Sequence, residues 1–229
     1  MADDAIVIDT SPTPRYGVIW MHGLGADGSD FEPIVPHLGL SPTLGVRFMF
    51  PHAPVQPVTI NGGMRMRAWY DIRTPDFTTR EDAQGLAASA AALGGWIEAF
   101  AAEGIPSERI VVAGFSQGGA IALHGGLAHP QPLAGILALS TYLPLAEAFE
   151  RHAHAANRQT PIFMAHGSGD PVIPIALAEA SRSRLKQMGY AVDFHTYPMA
   201  HSVAPEEIRD IGLFLNRQLA PANRTEAGA

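Results

Sequence analysis

From Ile110 to Ala146 the chain carries no Asp, Glu, Lys or Arg, a run of 37 residues. A run that long must be hidden from water, either in a bilayer or in the centre of a fold. The bilayer fails. The segment reads IVVAGFSQGGAIALHGGLAHPQPLAGILALSTYLPLA, and Gly, Gln, His, Ser and Pro interrupt it every few residues. No stretch of about 18 residues is cleanly apolar. What remains is two strands buried on both faces with a buried helix between them, as in a parallel sheet.

The rest of the chain repeats that alternation. Strands are expected at Ala5–Ile8, Tyr16–Trp20, Val46–Phe50, Ile110–Ala113, Gly135–Leu139, Ile162–Ala165 and Val192–Tyr197. Helices are expected at Glu81–Glu103, with a capping box of Thr78 and Glu81, and at Gln117–Ala128 and Ile175–Met188. A last helix is expected at Pro205–Leu219, with proline and two glutamates in its first turn. Strand alternating with helix implies a mostly parallel sheet with helices on both faces. No linker or repeat divides residues 1–219, so one domain is expected, followed by a small, polar, frayed tail at 220–229.

Composition excludes several classes. There is no cysteine, which removes disulfides, thiolate metal sites and cysteine nucleophiles. The formal charge of −7 argues against nucleic acid as a partner. The start, MADDAIVIDT, lacks a basic segment followed by an apolar one, so a cytoplasmic protein without integral membrane association is expected. The pair His152 and His154 has no third ligand in view, and no metal site is expected.

In a parallel sheet, working residues sit on loops at the carboxyl ends of strands. After the strand ending at Ala113 comes Gly114-Phe115-Ser116-Gln117-Gly118, a G-x-S-x-G leading into a helix. Glycine flanks Ser116 because a sharp strand-to-helix turn leaves no room for neighbouring side chains. The turn places the hydroxyl at a helix N-terminus, where developing negative charge is favoured. Glycine is 23 of 229 residues, about a tenth, so glycine on both sides of a given serine is roughly a 1-in-100 accident.

Acyl transfer by serine needs a base and an acid to orient that base. Of the later aspartates, Asp193 begins a strand and Asp210 shares a helix with Glu206 and Glu207, read as a solvated face. Asp170 follows a strand end in His166-Gly167-Ser168-Gly169-Asp170-Pro171 and is the choice for the acid. His195 lies within a strand, whereas His201 follows one and is the choice for the base. The backbone N–H groups of Gln117 and Leu24 are the expected oxyanion donors, with Leu24 held between Gly23 and Gly25. His22 is read as packing beneath that loop. Apolar loop residues, among them Met64, Trp69, Leu143, Val172 and Met199, are candidates to line a groove for an uncharged acyl group.

The ordered set HGLGADG, NGGMRMRAWYDI, GFSQGGAIAL, STYLPL, HGSGDPVIP and YPMAHSV resembles the phospholipase/carboxylesterase family of α/β-hydrolases, over about Arg15 to Leu219. The HGLGAD form is more similar to the bacterial carboxylesterases than to the acyl-protein thioesterases. The resemblance implies an α/β-hydrolase fold without a large lid domain, no cofactor, and small-molecule ester or thioester substrates, and it leaves a homodimer open. By position it implies Ser116, Asp170 and His201 as the catalytic triad and Leu24 and Gln117 as oxyanion donors. Trp69-Tyr70-Asp71 matches the loop flanking the acyl site, which adds Tyr70 to the substrate-binding candidates. One departure is Arg67-Ala68 where the family usually has Pro-Ser. The expected activity is that of a carboxylesterase for small to medium acyl chains. The alternatives are an acyl-protein thioesterase, a lysophospholipase, or a catalytically silent binding protein on the same fold.

Overall fold

The computed structural model describes residues 5–220. The first four residues of the expected domain, and the expected tail beyond Ala220, lie outside them.

Seven strands form the central sheet: β1 (Ala5–Asp9), β2 (Tyr16–Met21), β3 (Val46–Pro51), β6 (Ile110–Phe115), β7 (Gly135–Leu139), β8 (Ile162–Gly167) and β9 (Val192–Tyr197). Their order is β1-β3-β2-β6-β7-β8-β9. All neighbours are parallel except β1, which pairs antiparallel with β3 at one edge. Two of these strands, β6 and β7, are the buried apolar runs of the charge-free segment.

Four α-helices cover the sheet: α1 (Ala83–Ala102), α2 (Gln117–Ala128), α3 (Ile175–Gln187) and α4 (Pro205–Leu219). Strand side chains alternate between the faces, as a period of two requires. Ile110 and Val112 join one core with Leu93 and Ile97 of α1, Ile121 and Leu123 of α2 and Leu185 of α3. Val111 and Ala113 join a second core with Ile211, Phe214 and Leu215 of α4. Fully burying each such large side chain contributes about 1.5–3 kcal/mol. Helix α1 is long and apolar enough to cross a membrane, but Leu86, Leu93, Ile97 and Phe100 form a buried stripe in the first core.

The strands lie where expected, to within a residue or two. Three local readings need correction. Thr78 and Glu81 form no capping box: α1 begins at Ala83 after Asp82. The Glu81 carboxylate instead accepts the Leu145 N–H at 2.7 Å, and Asp82 accepts from the Asp71 N–H and from Arg73. The long stretch after β3, read as irregular, contains a hairpin of β4 (Val55–Val58) and β5 (Met64–Arg67), with Val58 opposite Met64. Finally, α4 does not present Glu206, Glu207 and Asp210 together to solvent. Glu207 is fully buried, and Asp210 accepts the Tyr197 hydroxyl at 2.7 Å.

Candidate active site

The turn from β6 into α2 places Ser116 at the helix N-cap with φ 54° and ψ −118°, a region L-residues rarely adopt. The surroundings enforce it. The Ser116 N–H donates to the Leu139 carbonyl at 2.8 Å, and its carbonyl accepts the Thr141 hydroxyl at 2.6 Å. A Cβ on Gly114 would overlap the Gly118 carbonyl, and one on Gly118 would overlap that of Met21. The glycines permit a crossing that no other residue allows.

Beyond β8, Asp170 is buried in a tight turn. Its Oδ1 accepts the N–H groups of Val172 and Ile173 at 2.8 and 2.9 Å. Its Oδ2 accepts from His201 Nδ1 at 2.7 Å. Both oxygens are thus engaged, which fixes the carboxylate and leaves His201 Nε2 facing away from it. Beneath them His166 donates from Nε2 to the Ile173 carbonyl at 2.8 Å. Burial lowers the His166 pKa, which favours the neutral ring. The loop carrying His201 is pinned by backbone bonds from Ser168 to Tyr197 and from Gly169 to Met199.

The two halves meet through Phe115. Its ring centroid lies 4.8 Å from that of His201 and 5.4 Å from Phe31, which in turn stacks on Trp20 at 5.3 Å. His201 therefore rests beside the residue preceding Ser116. Among the described residues the Ser116 hydroxyl has no hydrogen-bond partner.

The loop after β2 lies against the same serine: a Cβ built on Gly23 would stand 3.4 Å from Ser116 Cβ. Among the described residues neither the Leu24 nor the Gln117 N–H has an acceptor. His22 is buried beneath the loop, donating from Nδ1 to the Gly23 carbonyl at 2.7 Å and accepting the Ala53 N–H at Nε2 at 3.0 Å. Burial lowers its pKa, which suits the neutral ring these two bonds require.

A cavity of about 160 Å³ opens beside Ser116. Leu24, Gln117, Tyr70 and Val172 line it, as the sequence led us to expect. Trp69 lies deeper, in the core, where its indole donates to the His22 carbonyl at 2.8 Å. Leu143 is buried and faces a different hollow beside α3. Met64 is exposed on the hairpin, and Met199 packs on the α4 side of the sheet. None of these four lines the cavity. The other walls are Ile60, Asn61, Ile72, Phe77, Tyr142 and Ile173. Of these, Tyr142 stood within the STYLPL motif, and Ile173 adjoins Val172. Phe77 and Asn61 carried no local signal. Burial pushes the Tyr142 phenol up to about 12, so it stays neutral. A larger open groove of about 740 Å³ lies by Lys186, Tyr190 and Arg217, at the amino ends of β8 and β9. That is the wrong end of the strands for a site of this fold.

A G-x-S-x-G elbow on a mostly parallel sheet, with an aspartate after β8 and a histidine after β9, is the arrangement of an α/β-hydrolase. Residues 2–219 match the family model described as Phospholipase/Carboxylesterase, and the chain belongs to that family. It is 40% identical over 225 residues to acyl-protein thioesterase 1 of Mycosarcoma maydis, covering 89% of this chain and 94% of the relative. It is 44% identical over 211 residues to acyl-protein thioesterase 1 of Neurospora crassa, covering 88% and 86%. Among solved structures it is similar to SOBER1 of Arabidopsis thaliana, with TM-score 0.84 and 31% identity over 90% of this chain and 99% of that one. The acyl-protein thioesterase 2 of Zea mays gives a TM-score of 0.82 at 26% identity, over 94% and 98%.

Proposed function

We propose that the chain is a serine hydrolase cleaving carboxylic esters of small to medium acyl chains through an acyl-enzyme. Ser116 attacks the carbonyl carbon while His201 Nε2 takes its proton. Asp170 holds the imidazole in the tautomer that has Nδ1–H and stabilises the imidazolium that forms. The N–H groups of Leu24 and Gln117 receive the oxyanion. His201 then protonates the leaving alcohol, and a water activated by the same imidazole releases the acid and frees Ser116.

The observation that carries this reading is the 2.7 Å bond from His201 to an Asp170 whose other oxygen already holds two backbone donors. It sits on the loops next to a strained serine at a helix N-terminus. A second reading, thioester hydrolysis, is favoured by relatives at 40–44% identity that are named acyl-protein thioesterases. The chemistry is the same, with a thiolate leaving group. A fluorophosphonate probe should label wild-type protein and spare Ser116→Ala. Parallel series of p-nitrophenyl esters, acyl thioesters and lysolipids then rank the substrates. Folded protein that neither takes the probe nor turns over any member of the three series is not a serine hydrolase.

A further inference from the structure

Beyond Leu139 the chain leaves β7 through Ser140, which is fully buried and held at φ 45°. That left-handed conformation strains any residue with a Cβ and persists where the surroundings impose it. Here the Ser140 N–H donates to the Ala165 carbonyl at 2.7 Å. The bend brings Thr141 against the first turn of α2. A Cβ built on Gly119 would stand 2.8 Å from Thr141 Cγ2, so the glycine that follows the G-x-S-x-G makes room for this side chain.

Thr141 is buried, and its hydroxyl donates to the Ser116 carbonyl at 2.6 Å. The Tyr142 carbonyl is a poorer acceptor for it, at 3.5 Å. The Ala120 N–H also reaches the Ser116 carbonyl, at 3.1 Å, so that oxygen is held by two donors. The Ser116 carbonyl and the Gln117 N–H belong to one peptide unit. The unit is planar and trans, and its C=O and N–H point in opposite directions. Fixing the carbonyl therefore fixes where the N–H points. A donor on the carbonyl also polarises the amide and strengthens its N–H as a donor.

The loop after β2 is built the same way. His22 Nδ1 donates to the Gly23 carbonyl, and that peptide unit ends in the Leu24 N–H. On two separate loops, then, a buried side chain holds the carbonyl of a peptide whose N–H has no acceptor among the described residues. Donors that are held in place and left open are what a developing oxyanion requires.

We infer that Thr141 is a positioning residue for the reaction: its hydroxyl aims the Gln117 N–H at the oxyanion by holding the other end of the same peptide unit. The inference rests on the serine hydrolase reading above and adds a residue outside the triad and the two donors on which the rate depends. Thr141 acts through Gln117 and not on the substrate.

The test sets wild type against Thr141→Val, and Thr141→Ser against Thr141→Ala, because each pair differs only at the hydroxyl position. With p-nitrophenyl butyrate, Thr141→Val and Thr141→Ala should each lose at least about tenfold in kcat with KM within about twofold, less than the ~100- to 1,000-fold lost with a whole donor. Thr141→Ser keeps the hydrogen bond and should stay within about threefold of wild type. An alkyl trifluoromethyl ketone gives a readout that a purely structural role would not move. Ser116 Oγ bonds to its carbonyl carbon, the π pair of the C=O moves onto the oxygen, and the serine proton goes to His201. The adduct carries the oxyanion, so its inhibition constant in each variant should rise by the factor by which kcat/KM falls. Thermal melts establish that each variant is folded, and the serine and alanine variants decide the matter alone if the valine variant is not. A smaller loss in the alanine variant, a serine variant as slow as alanine, or a ketone that binds all the proteins alike overturns the assignment. Failure of the underlying reading looks different: wild type itself turns over no ester and does not react with the fluorophosphonate.

Discussion

Gln117 holds Trp69 by the main chain: its Oε1 accepts the Trp69 N–H at 2.8 Å while its Nε2 donates to the neighbouring Tyr70 carbonyl at 2.7 Å. All of these groups are buried. The residue after Ser116 is therefore also the clasp for a loop distant in sequence. Truncation to alanine keeps the backbone N–H but leaves a donor and an acceptor unpaired. Gln117→Ala should cost about 2–4 kcal/mol in urea denaturation. It should raise KM more than it lowers kcat, because Tyr70 loses its fixed place in the cavity wall while the oxyanion donor remains.

Ser116 offers a cleaner separation of activity from stability. Its backbone strain is relieved by glycine and retained by alanine. Ser116→Gly should be inactive and about 1 kcal/mol more stable than wild type, while Ser116→Ala is inactive at close to wild-type stability. Thermal melts of the two variants beside wild type check the order.

Asp170→Asn keeps the size of the side chain. The amide can still accept from Val172 and Ile173 through its oxygen, which turns its NH₂ towards His201 Nδ1 and favours the wrong imidazole tautomer. Turnover should drop by roughly 10³–10⁴ with little loss of structure. A stopped assay with a short-chain ester, run with a matched circular dichroism spectrum, measures both.

Glu207 supplies a pH dependence. It is fully buried at the third position of α4, with Oε2 accepting the Ala204 N–H at 3.4 Å and no partner for Oε1. Burial pushes its carboxyl pKa up to about 8, from an ordinary 4.5. The native state keeps a proton that the unfolded state releases. The stability this group contributes is full below pH 4.5 and is lost as the pH rises through about 8. Glu207→Gln should remove that decline, gaining on the order of 2–4 kcal/mol over wild type at about pH 9 and much less at about pH 5. Urea titrations at the two pH values decide it.

The sheet and the grouping of Ser116, Asp170 and His201 were legible in the chain because each follows a local rule. A charge-free run forces β6, α2 and β7 inside. Glycines around Ser116 report a turn that nothing larger fits, and Asp170 and His201 follow apolar strands directly. The lining of the cavity beside Ser116 was not legible in the same way. Trp69 and Leu143 are apolar loop residues like Val172, yet they sit in the core, and only tertiary packing separates the cases. Phe77 lies in the polar stretch TPDFTTR, where nothing local marks a residue aimed at a site. Glu207 was misplaced because a glutamate in the first turn of a helix normally faces water, and its burial follows from how α4 seats on the sheet.

Ser116 stands on the partition between two cores. Leu24, Tyr70, Ile72 and Phe77, which line the cavity beside it, belong to or pack against the core beneath α1 and α2. Phe115 and Met199, which flank His201 in space and in sequence, pack into the core beneath α4. On the proposed function, the side chains that would hold the acyl group and those that would steady the base therefore belong to separate layers of the molecule. Substitutions on α1 and its preceding loop should then reshape the cavity while leaving the surroundings of His201 unchanged.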